Sequence, residues 1–256
     1  MKKIVEILLF IWAVAFYFTP ALAFEVGGEK FEGLLSANRL SKYINIIGKE
    51  LYKKQVIQEE FFLSHPRSGL YAGIWLSHSP DGQKNLGDEI DHILGIQKES
   101  GPLRFNFSYA YLRLERPKLD NLNAWRLRLS SSGLPLYSLT EYIYPAGHKG
   151  PQEGWLQKFG VTDSFKLPEL PFKIGNNERQ PFFFDISSVV SFGSRGVDTG
   201  LTHVRFSFWL PLEFGDFTLS PSYNYQVITG AFDNGKKGDI GKGNRQWGGV
   251  TLRYKF

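Results

Sequence analysis

Apolar and polar side chains alternate with a period of two along much of this chain, and that pattern constrains its fold more than any other feature. Leu103, Phe105, Phe107, Tyr109 and Tyr111 alternate with Arg104, Asn106, Ser108 and Ala110. Thr202, Val204, Phe206, Phe208 and Leu210 alternate with His203, Arg205, Ser207 and Trp209, and Phe217, Leu219, Tyr223, Tyr225 and Val227 with polar partners from Thr218 to Gln226. Shorter runs set Trp125, Leu127 and Leu129 against Arg126, Arg128 and Ser130, and Phe182, Phe184, Ile186, Val190 and Phe192 against Asp185, Ser187 and Ser191. Successive strand residues point to opposite faces, so the pattern describes a sheet standing between an apolar and a polar phase. Beyond the first residues no apolar run approaches the length of a transmembrane helix, and helical periodicity is hard to find.

Connections alternate in length too. Short polar turns are expected at Lys98–Gly101, Ser131–Gly133 and Glu213–Asp216, and long solvated loops at His78–Asp88, Ala146–Gly154 and Gly230–Gln246. One rim of turns and one of loops is the asymmetry of a membrane barrel. The fold expected is therefore all-β: a transmembrane, antiparallel, up-and-down β-barrel of about 12 strands. Phe165–Gln180 has no clean phase and reads as an irregular hairpin. Pro221 predicts a bulge or a position near the rim, and the adjacent Glu59 and Glu60 leave the phase of Gln55–Ser64 open.

Alternation alone also fits a soluble sandwich or lipocalin-like barrel with its apolar face inside. Three features favour the outward orientation. The chain ends with Gly248, Val250, Leu252, Tyr254 and Phe256 on one face, an aromatic residue last. This ending resembles the terminal strand of bacterial outer-membrane proteins, which implies that Leu252, Tyr254 and Phe256 form a signal for the barrel-assembly machinery. Tyr109, Tyr111, Tyr223 and Tyr225 gather toward strand ends, as interfacial girdles do. Finally, Arg104, Arg126, Arg128, Asp185, Arg205 and Arg253 fall on the polar faces, where a watery lumen suits them and mid-bilayer lipid would cost ~2–4 kcal/mol each.

Lys2 and Lys3, the apolar run Ile7–Phe18 and Ala21-Leu22-Ala23 read as a cleavable signal peptide, residues 1–23, with 24–256 forming the barrel. The run is 12 residues, short of the ~17–25 of a spanning helix. Location in a Gram-negative outer membrane follows, with outer-membrane lipid as surroundings and both mature termini in the periplasm. Cysteine is absent, which excludes disulfides, thiolate metal sites and cysteine nucleophiles. Aromatics reach 16% while mean hydropathy is −0.23, which argues against a helical membrane bundle. Losing Lys2, Lys3 and Glu6 takes the net charge from +5 to +4, and the basic residues are scattered, so nucleic acid is not an expected partner.

Leu35-Ser-Ala-Asn38, Ser41-Lys-Tyr43 and Ser68-Gly-Leu-Tyr-Ala-Gly-Ile-Trp75, followed by Asp88-Glu-Ile-Asp-His92 and Gly95, resemble the opening of the TorF-family porins over the first third of the mature chain. The chain departs from the family's pattern at Ile46-Ile47-Gly48 and at Gln55–Glu59. The resemblance implies a small outer-membrane channel and supplies no catalytic residues.

Barrel hydrolases set a His and a Ser two apart on one strand. Here His203 and Ser207 are four apart with Arg205 between, roughly 13 Å at ~3.3 Å per residue, beyond direct proton transfer. The five histidines, His65, His78, His92, His148 and His203, share no metal-ligand spacing. No enzymatic role, metal or cofactor is expected. The sharper candidates line the lumen: Arg104, Arg126, Arg128, Arg205, Arg253, Glu89, Asp91, Asp185 and His203. Charged walls sieve solutes, and arginine favours anions, so the expected function is diffusion of small polar or anionic solutes. The alternatives are a closed structural or adhesive barrel acting through Gly230–Gln246, with Lys236, Lys237, Asp239, Lys242 and Arg245, or a lipid-modifying hydrolase.

Overall fold

The structure, a computed structural model, describes residues 25, 26, 28–46, 49–81, 88–114, 121–147, 153–166, 181–192, 199–229 and 244–256. Its strands are β1 (Glu32–Leu40), β2 (Val56–His65), β3 (Leu70–His78), β4 (Glu89–Ser100), β5 (Leu103–Leu114) and β6 (Leu122–Ser131). They continue as β7 (Leu136–Pro145), β8 (Gly154–Lys166), β9 (Pro181–Phe192), β10 (Gly200–Trp209), β11 (Phe217–Ile228) and β12 (Arg245–Lys255). Each strand pairs antiparallel with its sequence neighbours, and β12 pairs with β1, from Gly249↔Leu40 to Lys255↔Leu34, so the sheet closes on itself. The segment Leu212–Phe214 continues β10 against β11 in the same register, which leaves twelve strands among the described residues. At the seam the Gly33 N–H donates to the Phe256 carbonyl at 2.7 Å and the Phe256 N–H donates to the Gly33 carbonyl at 3.1 Å. Closure leaves no open ladder edge, the condition for a sheet in lipid.

The apolar phase points outward. Leu94 is 61% exposed, Leu103 59% and Phe159 53%, and Phe107, Trp125, Leu127, Leu129, Ile186 and Val250 share that outer surface. Aromatic rings gather near both rims: Phe217, Tyr254 and Phe256 stack in series at the seam, with centroids 4.6 and 5.8 Å apart. Toward the opposite rim Tyr109 lies 4.8 Å from Trp125 and Tyr142 lies 4.5 Å from Trp155. The soluble alternative, in which these rings pack in a dry interior, is excluded by their direction.

On one rim the connections are short except for 167–180 between β8 and β9. Gly101-Pro102 joins β4 to β5 and Gly215-Asp216 precedes β11, with Gly101 at φ 58° and Gly215 at φ 62°, as tight hairpin turns require. The other rim carries 41–55, 79–88, 146–153 and 229–244. Of the irregular hairpin expected at Phe165–Gln180, Phe165 and Lys166 belong to β8, and 167–180 lies outside the described residues. Most of the loop assigned to Gly230–Gln246, with Lys236, Lys237, Asp239 and Lys242, lies outside them as well. Arg245 and Gln246 do not belong to that loop: they open β12, and Arg245 is buried on the inner face opposite Gln226.

Other local expectations also shift. Pro221 causes no bulge; it keeps register with Val250 on the turn-rim half of β11, and it faces the interruption of the neighbouring strand at Leu210–Pro211, where two prolines lack donors and the Leu210 N–H donates to the Pro221 carbonyl at 3.1 Å. The bulge lies instead in β10, where Leu201 pairs with Val190 and His203 with Val189. Thr202, placed on the apolar face by alternation, is thereby an extra residue with no exposed surface. In β2, Glu60 faces inward, where it accepts the Ser36 Oγ–H at 2.6 Å, and Glu59 faces outward near the loop rim between Ala37 and Leu76.

Inside the wall, rings of one strand lie over glycines of the next, Tyr71 over Gly95 and Tyr137 over Gly160, where a Cβ would overlap the ring. The Tyr71 hydroxyl so positioned donates to Asn106 Oδ1 at 2.7 Å. Gly95→Val is expected to displace that ring and lower stability by about 1–3 kcal/mol, read from the urea midpoint in detergent micelles; an unmoved midpoint would count against this packing.

Candidate functional site

The inner face is built by residues whose neighbours in sequence face lipid, and it is not uniformly polar. Ala110, Leu112, Leu122, Ala124, Ile143, Leu156 and Val189 form a buried apolar cluster on the loop-side half of β5 to β9. Onto it packs Ile46, from the connection between β1 and β2. That connection folds into the lumen. Tyr43, Ile44 and Asn45 are all buried, and Tyr43 and Ile44 pair with Tyr52 and Glu50 in a small ribbon. Its tip is closed by Asn45, whose N–H donates to the Lys49 carbonyl at 3.0 Å while Asn45 Oδ1 accepts the Lys49 N–H at 2.9 Å.

The tip reaches two opposite walls. The Tyr43 hydroxyl donates to Glu89 Oε2 on β4 at 3.3 Å, and Arg205 Nη2 on β10 donates to the Asn45 carbonyl at 3.2 Å. In a ring of twelve strands, β4 and β10 are six apart and therefore face each other across the diameter. The base of the ribbon is tied to the next loop, since the Tyr52 hydroxyl and Lys54 Nζ both donate to Asp81 Oδ2, at 3.1 and 3.4 Å. The first loop thus spans the lumen as a constriction.

Charges divide around it. On one wall Glu60, Glu89 and Asp91 line a cavity under the loop with Tyr43, Phe62 and Trp75. On another, Arg128 lies 4.4 Å over the Tyr137 ring and Lys158 Nζ 5.2 Å from the same ring, while Arg205 lies 5.1 Å from Trp247. Asp185 is the acid among them: it accepts the Thr162 hydroxyl at 2.7 Å and lies 3.9 Å from Lys158 Nζ.

Arg104, Arg126 and Arg128, all expected to line the lumen, do not form one patch. Arg104 lies near the turn rim, ion-paired with Glu99 at 2.5 Å. Arg126 pairs with Glu141, Nε to Oε1 at 2.6 Å, and Glu141 has no exposed surface. Glu89 and Asp91 are buried beside Arg126 in the loop-side half, and Arg253 is exposed on the inner face of β12, opposite Thr218 and Ser36. His203 is 1% exposed, enclosed at the bulge rather than open to water. The Thr202 hydroxyl donates to the Val189 carbonyl at 3.0 Å, so the 2.9 Å contact with His203 Nδ1 has the imidazole donating. Ser207 shares the inner face beyond Arg205, in register with Asp185 and Asn224, and does not join His203 as nucleophile and base. Among the described residues no group of three His, Asp or Glu could hold a metal ion.

Glu60, Glu141, Lys158 and the inward loop were missed from sequence. Two signals were available: Leu112 and Leu114 continue the polar phase of β5 with apolar residues, marking a dry stretch of lumen, and Trp155, Phe159 and Val161 alternate around Lys158.

No family model and no curated protein matches this sequence. Among solved structures, the NanC porin is similar over 88% of this chain and 100% of its own, with 9% identity and a TM-score of 0.50. An outer-membrane channel from Pseudomonas putida F1 is similar over 93% and 100%, with 7% identity and a TM-score of 0.44. LpxR from Salmonella typhimurium is similar over 86% and 99%, with 6% identity and a TM-score of 0.42.

Removing one partner of a buried ion pair strands the other. Arg126→Ala is expected to destabilise the barrel by about 3–5 kcal/mol by leaving Glu141 uncompensated, and adding Glu141→Gln should recover much of that loss in denaturant unfolding. Additive losses would show that the two side chains act independently. With the NanC porin the chain shares the fold of a porin-like closed barrel.

Proposed function

We propose that this chain is an outer-membrane channel that passes small polar solutes by diffusion, with the inward loop 41–55 as its constriction. The observation that carries the reading is a closed barrel with an apolar outside and an inner surface of two signs: Glu60, Glu89 and Asp91 on one side, and Arg128, Lys158 and Arg205 on the other. Three cations against Asp185 on the second side favour anions there, while a field across the passage orients dipolar solutes. Neither a cofactor nor covalent chemistry enters this reading.

The same proposal takes residues 1–23 as a removable signal peptide and the turn rim, where β1 begins and β12 ends, as periplasmic. The outward Leu252, Tyr254 and Phe256 would then be what the assembly machinery reads before the seam closes. The motifs from Leu35 to Gly95 support a relationship to the TorF-family porins. A second reading, a closed structural or adhesive barrel, is favoured by the loop's contacts on opposite walls.

Single-channel recording in planar bilayers separates the two. The channel reading expects ohmic steps, conductance at least about twofold larger when 43–52 is replaced by a short Gly-Ser linker, and selectivity shifted toward cations by Arg128→Glu with Lys158→Glu. Silence from both the wild type and the loop-replaced protein, over repeated insertions, would favour the closed barrel.

A further inference from the structure

We infer that the turn between β2 and β3 carries a serine esterase site that hydrolyses acyl esters of membrane phospholipids. Ser68 lies in that turn and His65 ends β2. His65 Nδ1 is 2.8 Å from Ser68 Oγ, and His65 Nε2 is 3.1 Å from Glu29 Oε2. A carboxylate only accepts, so Nε2 carries the ring proton, and Nδ1 of the neutral imidazole is left to accept the Ser68 hydroxyl. Nucleophile, base and orienting acid are thus joined in sequence. Spacing along one strand could not show this, because the three groups come from a turn, a strand end and a segment ahead of β1.

The arrangement is held from several sides. Glu29 belongs to a short ribbon with Glu25 and Val26, and its Oε1 accepts Arg67 Nη1 at 3.0 Å. The Phe31 ring lies 5.2 Å from the imidazole. After Ser68 the chain turns through Gly69 at φ 75°, where a Cβ would overlap the Gln97 carbonyl oxygen and the Gly69 carbonyl accepts the Gln97 N–H at 2.8 Å. Ser68 Oγ itself accepts the Leu70 N–H at 3.2 Å. It also lies 3.4 Å from the His65 carbonyl, the longer of its two acceptor contacts.

Location names the substrate. His65 is in register with Leu70, which is 51% exposed, and so stands on the outward face at the turn rim. On the same face Phe61 stacks with Phe256, centroids 6.4 Å apart, in the aromatic girdle of that rim. The acyl ester carbonyls of phospholipids lie at this boundary between hydrocarbon and headgroups. Arg67, with its side chain 82% exposed, and Lys98, whose Nζ donates to the Arg67 carbonyl at 3.2 Å, flank the turn with positive charge for a lipid phosphate and an oxyanion. In the reaction Ser68 Oγ bonds to the acyl carbon and its proton passes to His65 Nδ1; the ester C–O bond breaks, and the lysophospholipid leaves with that proton. Water deprotonated by His65 then releases the fatty acid and restores Ser68. The site needs the barrel to lie in a bilayer and does not need the lumen to conduct.

Fatty-acid release from dioleoylphosphatidylethanolamine in octylglucoside mixed micelles, catalysed by the mature protein, tests this. Release is expected from the wild type, with kcat lower by about 100-fold or more in Ser68→Ala and in His65→Ala. Glu29 is a positioning residue, so Glu29→Gln is expected to lower kcat about tenfold or more at unchanged KM. A fluorophosphonate probe is expected to label Ser68, read by peptide mass spectrometry, and serves if a variant does not fold. A wild type that releases no fatty acid would overturn the inference. So would release undiminished in folded Ser68→Ala, or a label carried on another residue.

Discussion

Every feature of this protein depends on the requirement that a sheet in lipid leave no backbone hydrogen bond unmade. The seam between β12 and β1 meets it. The ladder runs to the last residue, where the Phe256 and Gly33 amides and carbonyls exchange both bonds and the Phe256 ring joins Tyr254 and Phe217 outside. A free edge there would present a row of unpaired groups to hydrocarbon; the closed ring removes it. The apolar phase can then face lipid and the other phase is enclosed, so side-chain chemistry inside is decided by what twelve strands can surround.

Twelve strands enclose more space than side chains alone fill and less than a wide porin leaves open. This chain resolves the intermediate width by turning its first loop inward. The tip can stay there because it finds three different kinds of partner: an apolar cluster for Ile46, a carboxylate for the Tyr43 hydroxyl, and a guanidinium for the Asn45 carbonyl. Buried polar groups in the tip are therefore bonded rather than stranded.

Around the loop, charge is neutralised unevenly. Arg104 with Glu99 and Arg126 with Glu141 are local pairs that contribute little net field. What remains is acidic under the loop and basic near Tyr137 and Trp247, where the aromatic rings hold the cations. Separation of sign across a narrow, low-dielectric passage strengthens the field each wall exerts. On the proposed channel reading, such a field acts on a solute's charge distribution as much as the bore acts on its size.

The alternation of Leu103 to Tyr111 and of Phe217 to Val227 was enough to specify strands, and the final aromatic residue with the enclosed charges was enough to orient them. This works because a strand's two faces repeat every two residues and each face meets one phase. The inward direction of Arg104, Arg126, Arg128, Arg205 and Asp185 follows from the same rule. Their partners do not, because cross-strand neighbours depend on register, which turns and bulges such as the one at Thr202 set one strand at a time. Nor could periodicity reveal the loop. Ser41 to Gln55 carries no repeat, and its place inside the barrel rests on contacts with β4 and β10, strands distant in sequence that meet only when the cylinder closes. The sequence by itself determined strands, orientation and the inward set of charges; only the tertiary structure decided which charges pair and where the first loop lies, because those depend on distances across a closed lumen.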